Sequence, residues 1–159
     1  MWMHHYTKVY KGIAQEDIWK IWTDINNWHL WFPEVKSSTL QDSFSVNTLF
    51  SVTLKNDSKS LYRIVKKFDG YKFISIKKFF GAKLYDTRAL DTSIEGIRLV
   101  RTVVLSGPLS WLWKYKVSKD IFYKTSIELE SLAFYARRVQ YLNQLSLDSS
   151  HGTSDSGQI

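Results

Sequence analysis

The spacing of apolar residues divides the start of the chain into a strand and an amphipathic helix. The segment HYTKVYKGI alternates apolar and polar positions and is rich in Tyr, Val and Thr, which predicts a β-strand. In the following segment AQEDIWKIWTDI, the side chains of Ile18, Ile21, Trp22 and Ile25 lie three and four residues apart. This spacing places them on one face of a helix. The helix dipole also favours the acidic residues that occur in its first turn.

After a short aromatic segment, the chain changes to six consecutive strand patterns. They are VKSSTLQD, TLFSVTL, SLYRIVKKF, YKFISIKKFF, KLYDTRALD and IRLVRTVVLS. Turn-forming residues separate them, including Asn56-Asp57, Asp69-Gly70 and Glu95-Gly96. Because links this short join neighbouring strands as hairpins, we expect the strands to be antiparallel.

The last pattern predicts one long helix. Pro108 suits a first helical turn, and neither Pro nor Gly interrupts residues 109–143. The apolar positions change phase along this segment, so we expect a kink or a break near Ser118. The final residues are rich in Ser, Gly and Asp, which predicts one folded domain over residues 1–145 and a disordered tail over residues 146–159.

This order of elements defines the predicted fold class. A first strand, short helices, six more strands and a long C-terminal helix form an α+β protein with two layers. In this arrangement one curved antiparallel sheet of seven strands wraps around the long helix. A sheet that curls this far leaves room for a cavity between itself and the helix.

Composition and charge narrow the choice of partners. The 159 residues carry a formal net charge of +7, which favours an anionic partner, although a basic surface without a specific partner explains the same charge. The chain has no cysteine, so disulfides and thiolate metal sites are excluded. No apolar run approaches the ~18 residues of a membrane span, and the N-terminus lacks the pattern of a signal peptide, so we expect a cytoplasmic protein.

Two segments of the chain resemble a known superfamily. The first, GIAQEDIWKIWTDINNWHLWFPEVKSS, contains in order Ile13-Ala14, Ile18-Trp19, Asp24, Trp28, Trp31 and Pro33. In the second, GIRLVRTVVLSGPLSWL, a last strand leads through residues 106–109 into the long helix. Both segments resemble the START-like, Bet v 1-like superfamily, also called the SRPBCC or polyketide cyclase/dehydrase group. Gln15 departs from the Pro that is usual at the helix start.

The resemblance covers nearly all of residues 4–142 and implies a helix-grip fold that encloses an apolar cavity. Relatives bind lipids, sterols, polyketides or plant hormones. Some are cyclases or aromatases, and others are chaperone activators or quinone-binding proteins. The superfamily has no shared catalytic residues and no shared cofactor, so the resemblance implies a fold and a cavity but no single function.

Charged residues interrupt the apolar pattern of the last hairpin. With a turn around residues 93–94, we expect Asp86 to face Arg101 and Arg88 to face Leu99 across the two strands. All three charges then lie on the inner face, where they are costly unless they are paired. They form either a site for an anionic ligand group or a self-satisfied pair of Asp86 and Arg101. Glu128 lies near the same face and could neutralise Arg88.

Candidate catalytic groups are few. His29, close to Asp24 in sequence, and Asp86 are the only candidates for proton transfer, and an exposed loop histidine is the favoured interpretation of His29 because nothing in the sequence fixes its geometry. His and carboxylate residues do not occur at ligand spacing, so we predict no metal site. The sequence has no Gly-rich nucleotide-binding loop, and we predict no cofactor.

Aromatic residues occur beside basic residues in two places. At the start of the long helix, Trp111, Trp113 and Tyr115 occupy alternate positions beside two lysines, and Trp111 and Tyr115 share one side, a pattern that fits a membrane interface or a subunit contact. Lysines on neighbouring strands predict a basic outer patch, which most often is a solvated sheet face. Nucleic-acid binding is not favoured, because the aromatic residues occupy positions that the superfamily uses for its core and cavity wall.

The favoured function is therefore the binding or transport of a small hydrophobic or amphipathic ligand, such as a lipid or a polyketide, in an internal cavity. The predicted ligand-binding residues are Trp28, Trp31, Phe32, Asp86, Arg88, Leu99, Arg101, Val103 and Trp113. One alternative is an enzyme of the polyketide cyclase or dehydrase type that uses the same cavity. A second is a protein-interaction module whose cavity is filled by its own aromatic side chains.

Overall fold

The computed structural model describes residues 1–151, which form one antiparallel sheet and two α-helices. The strands are β1 (Trp2–Tyr10), β2 (Val35–Leu40), β3 (Leu49–Leu54), β4 (Lys59–Phe68), β5 (Lys72–Phe79), β6 (Ala82–Ser93) and β7 (Gly96–Ser106). The helices are α1 (Gln15–Thr23), a 3₁₀ helix (Ile25–Leu30) and α2 (Ser110–His151). The predicted α+β class and the predicted element order are confirmed.

The seven strands form a sheet in the order β1-β7-β6-β5-β4-β3-β2, with every neighbouring pair antiparallel. β1 therefore returns to pair with the last strand. The sheet curves around α2, which contacts β1, β6 and β7 and also packs on α1. This is the predicted helix-grip arrangement.

The register of the last hairpin differs from the prediction by two residues. Ser93 pairs with Gly96, so the turn is Ile94-Glu95, and Arg88 lies opposite Arg101 instead of Leu99. Asp86 lies opposite Val103, not opposite Arg101. Because side chains alternate with a period of two, this even shift changes the cross-strand partners but leaves the inward-facing residues on the inner face.

α2 is one uninterrupted helix, so a break near Ser118 is wrong, whereas a kink there stays a prediction. The phase change in the apolar pattern arises because Thr125 and Glu128 are buried among apolar neighbours and continue the inner stripe as polar residues. The helix also extends past the predicted end at residue 143 and includes residues 146–151, which had been assigned to the tail. The remainder of the predicted tail, residues 152–159, lies outside the described residues.

Two clusters of buried apolar residues form the core. The larger cluster joins α1, the 3₁₀ helix, the sheet and the middle of α2, and includes Trp22, Phe73 and Leu132. The smaller cluster joins β6, β7 and the start of α2, and includes Val103 and Val117. Buried charged residues on β6, β7 and α2 lie between the two clusters, and they form part of the site described next.

Candidate functional site

A cavity of about 70 Å³ lies between the inner face of the sheet and the 3₁₀ helix. Its wall has two chemically different sides. The apolar side consists of Trp28, Phe32, Val35, Phe50, Val52 and Leu54, with Tyr62 at its border. The polar side consists of Ser75, Asp86, Arg88 and Arg101. A molecule in this cavity would therefore meet aromatic rings on one side and fixed charges on the other.

The polar side is part of a buried network of two guanidinium groups and two carboxylates. Arg101 donates to both oxygens of Asp86, with Nε–Oδ1 and Nη2–Oδ2 distances of 3.1 and 2.8 Å. Arg88 lies 3.6 Å from Asp86, between Nη2 and Oδ2. Both arginines also donate to Glu128 on α2, and Arg101 Nη1 lies 3.4 Å from the Thr125 hydroxyl. Each formal charge is thus matched by one of opposite sign.

The strand register explains why these groups meet. Arg88 and Arg101 are directly opposite each other on β6 and β7, and Asp86 is two residues from Arg88 on the same face. Asp86 therefore reaches Arg101 diagonally, which is within the range of long side chains on adjacent strands. Glu128 closes the network from α2. Two facing arginines would repel each other, and the two carboxylates remove that repulsion.

The network keeps its groups charged. Burial by itself would raise the pKa of the Asp86 carboxyl, but the nearby guanidinium groups of Arg101 and Arg88 outweigh burial and lower the pKa below its ordinary value. Burial lowers the pKa of Arg88 to about 10, which leaves this side chain cationic at neutral pH. Burial raises the pKa of the Tyr62 phenol, so this hydroxyl stays protonated. The cavity therefore offers fixed ions and a neutral phenol.

The apolar side is built around Trp28. Its indole Nε1 donates to the carbonyl oxygen of Trp22 at 3.0 Å, which ties the 3₁₀ helix to the end of α1. The Trp28 ring meets the Phe50 ring edge to face at 5.6 Å. The guanidinium carbon of Arg88 lies 5.0 Å from the Trp28 ring centroid, a cation–π contact that joins the two sides of the wall.

Two lysines, one on α2 and one on β5, make polar contacts outside the cavity wall. Lys124 on α2 lies 3.8 Å from Glu34, which precedes β2, and thereby links the helix to the segment that carries Phe32. On β5, Lys77 donates to the Ser60 hydroxyl at 2.7 Å. Burial and the nearby charge of Lys116 lower the pKa of Lys77. Among residues 1–151, no group of three His, Asp or Glu side chains is arranged to hold a metal ion.

The structure places the predicted site residues in three environments. Five line the cavity, namely Trp28, Phe32, Asp86, Arg88 and Arg101. Leu99 and Val103 are instead completely buried, Leu99 in the larger and Val103 in the smaller core cluster. Their role in ligand binding, like that of the five wall residues, stays a prediction.

Three other predicted residues lie away from the wall. Trp31 packs behind Trp28, with ring centroids 6.0 Å apart. Trp113 packs on Phe79 at 4.8 Å, near the first turn of α2. His29 is exposed on the 3₁₀ helix, whereas Asp86, the other catalytic candidate, is in the polar wall.

Sequence reasoning missed the wall residues contributed by β2 to β5. These are Val35, Phe50, Val52, Leu54, Tyr62 and Ser75. The alternation of β3 does carry the signal, since Phe50 and Val52 are two residues apart and face inward together. Ser75 is the buried polar residue of β5, between inward Phe73 and Lys77, and its position beside the charged network required the pairing of β5 with β6.

The chain has the helix-grip fold of the START-like, Bet v 1-like superfamily, also called SRPBCC. A scan of protein-family models and a search of curated protein sequences both find no match. The class of fold therefore rests on the three-dimensional comparison and on the residues that resemble the superfamily.

Solved structures that are similar to this chain include three named proteins. The di-domain aromatase/cyclase StfQ of the steffimycin biosynthetic pathway has a TM-score of 0.70 and 12% identity, over 87% of this chain and 51% of that one. Ara h 8.0201 has a TM-score of 0.68 and 14% identity, over 86% of this chain and 99% of that one. Norcoclaurine synthase from Thalictrum flavum, in complex with dopamine and hydroxybenzaldehyde, has a TM-score of 0.65 and 10% identity, over 86% of each chain.

This chain therefore spans about half the length of StfQ. At identities of 10–14%, the similarity concerns the fold. The chemistry of the cavity has to be argued from this chain's own residues.

Proposed function

We propose that this protein binds a small amphipathic molecule in the cavity between the sheet and the 3₁₀ helix. The observation that carries the proposal is the two-sided wall, with aromatic rings facing a buried charged network. An apolar part of the ligand would lie against Trp28, Phe32 and Phe50. A polar group would lie beside Ser75, Asp86 and the two arginines, since a few placed polar groups orient a ligand that apolar burial holds.

The charge balance of the network favours a neutral polar group over an anion. Asp86 and Glu128 already neutralise Arg88 and Arg101. An anionic group would have to compete with these carboxylates, while a hydroxyl or carbonyl can add a hydrogen bond without separating an ion pair. A comparison of a neutral ligand with an anionic ligand of similar shape therefore tests which kind of group the polar side of the cavity binds.

The size of the cavity limits the ligand. At about 70 Å³ it is several-fold smaller than the ~300 Å³ at the lower end of typical ligand pockets. It accommodates a small group, whereas a whole lipid or polyketide requires the 3₁₀ helix or α2 to move. This size is the specific observation in favour of the second candidate function, a protein-interaction module whose cavity its own aromatic residues fill.

The cyclase or dehydrase alternative has less support from the two candidate acid–base groups. His29 is exposed and lies away from the wall. Asp86 is held as an ion by two guanidinium groups that lower its pKa, so it is a poor proton donor near neutral pH. The groups in the wall are better suited to orienting a ligand than to transferring a proton.

Titration with benzyl alcohol and with benzoate, followed by NMR, tests the proposed binding. We expect the alcohol to shift resonances of residues in the cavity wall and to bind more tightly than the anion. Val52→Trp fills the cavity and should abolish the shifts, while Val46→Trp adds the same ring at an exposed position and should keep them.

Two results would contradict this proposal. Binding that survives Val52→Trp would place the ligand elsewhere on the protein. Absence of binding by both compounds, together with no co-purified molecule in native mass spectra, would favour the interaction module.

A further inference from the structure

The first third of α2, residues 110–124, carries most of its large aromatic residues on the outside of the molecule. Trp111, Leu112, Tyr115, Phe122 and Tyr123 are between 52% and 73% exposed. Within residues 110–124 the buried residues are Ser110, Val117 and Ile121, and the last two pack against β6 and β7. An ordinary surface helix keeps its apolar residues inside and exposes polar residues, whereas this segment has apolar residues on both its buried and its exposed side.

One more exposed ring lies beside this helix. Phe80, in the turn between β5 and β6, is 82% exposed. Its carbonyl oxygen accepts a hydrogen bond of 3.0 Å from Trp113 Nε1, and the amide of Leu109 donates to the carbonyl of Gly81 at 3.0 Å. The turn is thereby held against the start of α2. We call these six residues, Phe80 with the five on the helix, the outer aromatic surface.

The close approach of the turn requires glycine at residue 81. Gly81 has a φ of +65°, and a Cβ at this position would lie 2.6 Å from Leu109 Cδ1. A larger residue would be strained by the backbone conformation and would push the turn away from the helix. The position of Phe80 beside α2 is therefore built into the local structure.

The surroundings of the outer aromatic surface are basic. Residues 109–127 contain four lysines and one acidic residue, Asp120, which lies 3.6 Å from Lys124. Lys78 and Lys83 are exposed on either side of the Phe80 turn. The Lys119 ammonium lies 4.4 Å from the Tyr115 ring centroid, so charge and aromatic surface are interleaved.

From this combination we propose that the outer aromatic surface docks on an anionic lipid bilayer. Tyr and Trp are amphipathic and favour the headgroup region, Phe and Leu enter the acyl boundary, and lysines contact anionic headgroups. The six side chains are exposed on a helix and a turn, and the Phe122 ring also contacts the His4 ring, with centroids 4.4 Å apart. Exposed rings on a helix and a turn fit a fluid, planar partner better than nucleic acid. Among residues 1–151, no helix has the length and apolar character to cross a membrane, so the contact is interfacial.

Vesicle co-sedimentation tests the docking on the full chain. One set of vesicles is phosphatidylcholine alone, and the other contains about 30% phosphatidylserine as the anionic lipid. We expect the protein to partition onto the anionic vesicles, and added salt to weaken this binding because it screens the lysines. The double variant Phe80→Ser/Trp111→Ser should lower the partition coefficient at least ~10-fold, since two exposed rings no longer enter the interface.

Phe134→Ser is the matched control. Phe134 is 70% exposed on the same helix but lies outside the outer aromatic surface. This variant should bind vesicles like the unaltered chain, and melting temperatures should show that all variants stay folded. The proposal is overturned if anionic lipid makes no difference, if the double variant binds as well as the unaltered chain, or if Phe134→Ser weakens binding equally. Because no residue of the surface lines the cavity, these outcomes are independent of the ligand titration.

Discussion

The first third of α2, residues 110–124, and its middle, residues 125–136, differ in how many of their large apolar residues are buried. The middle buries Leu129, Leu132, Ala133 and Ala136 in the larger core cluster. The first third buries only Val117 and Ile121 in the smaller cluster and leaves five large apolar side chains exposed, whereas the middle exposes one, Phe134. One continuous helix thus anchors the fold mainly through its middle, and its first third carries the surface that we propose docks on a bilayer.

The buried network lies at the junction of these two segments, so removing its helix partner should have the largest effect. Glu128→Gln keeps the shape of the side chain but leaves two arginines with one carboxylate. We expect it to lower the free energy of unfolding by about 4 kcal/mol, because an under-compensated buried charge costs more than the ion pair contributes. Urea denaturation measures this change.

Glu130→Gln provides the control for that measurement. Glu130 is two residues further along α2, and its side chain is half exposed beside Lys8. Exposed ion pairs contribute little, so this variant should unfold like the unaltered chain. Equal losses in the two variants would show that helix charge, and not the buried network, is responsible.

Truncating one leucine in each segment tests the packing difference directly. Leu132→Ala removes a completely buried side chain from the middle, and should cost about 3 kcal/mol through lost burial and a residual cavity. Leu112→Ala removes the same atoms from a side chain that is 52% exposed, and should change the free energy of unfolding by less than ~0.5 kcal/mol. A comparable loss for Leu112→Ala would mean that the first third of α2 is packed against another part of the protein in solution.

Acid should weaken the network by a smaller amount. The pKa of Asp86 is lower in the folded protein than its ordinary value, so the unfolded chain binds the proton more readily. The contribution of Asp86 is complete above about pH 4, the ordinary range of an aspartate, and is lost as the pH falls through its lower folded pKa.

The slope of stability against pH below this point measures the effect. Asp86→Asn should reduce the slope, whereas Asp42→Asn, at an exposed position, should retain it. An unchanged slope in Asp86→Asn would assign the acid sensitivity to another carboxyl.

The elements were predictable because their signals are local. Strands β1 to β7, α1 and the start of α2 follow from apolar spacing and from turn residues such as Asp69-Gly70. The inner face of β6 and β7 was also predictable, because a two-residue error in register leaves Asp86, Arg88 and Arg101 on the same side. The cross-strand partners were not, since the turn position sets them.

The wall of the cavity was predictable only in part. Trp28 and Phe32 were expected there from the superfamily resemblance, while Val52, Tyr62 and Ser75 came from strands whose alternation gives no sign of which residues adjoin a space. Leu99 and Val103 look the same in sequence as wall residues, yet they are packed in the core. A local pattern distinguishes inside from outside, but it does not distinguish filled space from empty space.

The sequence by itself determined the order of strands and helices, the curved sheet around a long helix, and the burial of three charges in the last hairpin. These features depend on neighbours along the chain and on the period of side-chain direction. The tertiary structure decided that Glu128 joins those charges, that the cavity is small, and that the Phe80 turn is held against Leu109 and Trp113 at the start of α2. The reason is that each of these properties depends on distances between segments far apart in the chain, which only the complete packing of the sheet and α2 establishes.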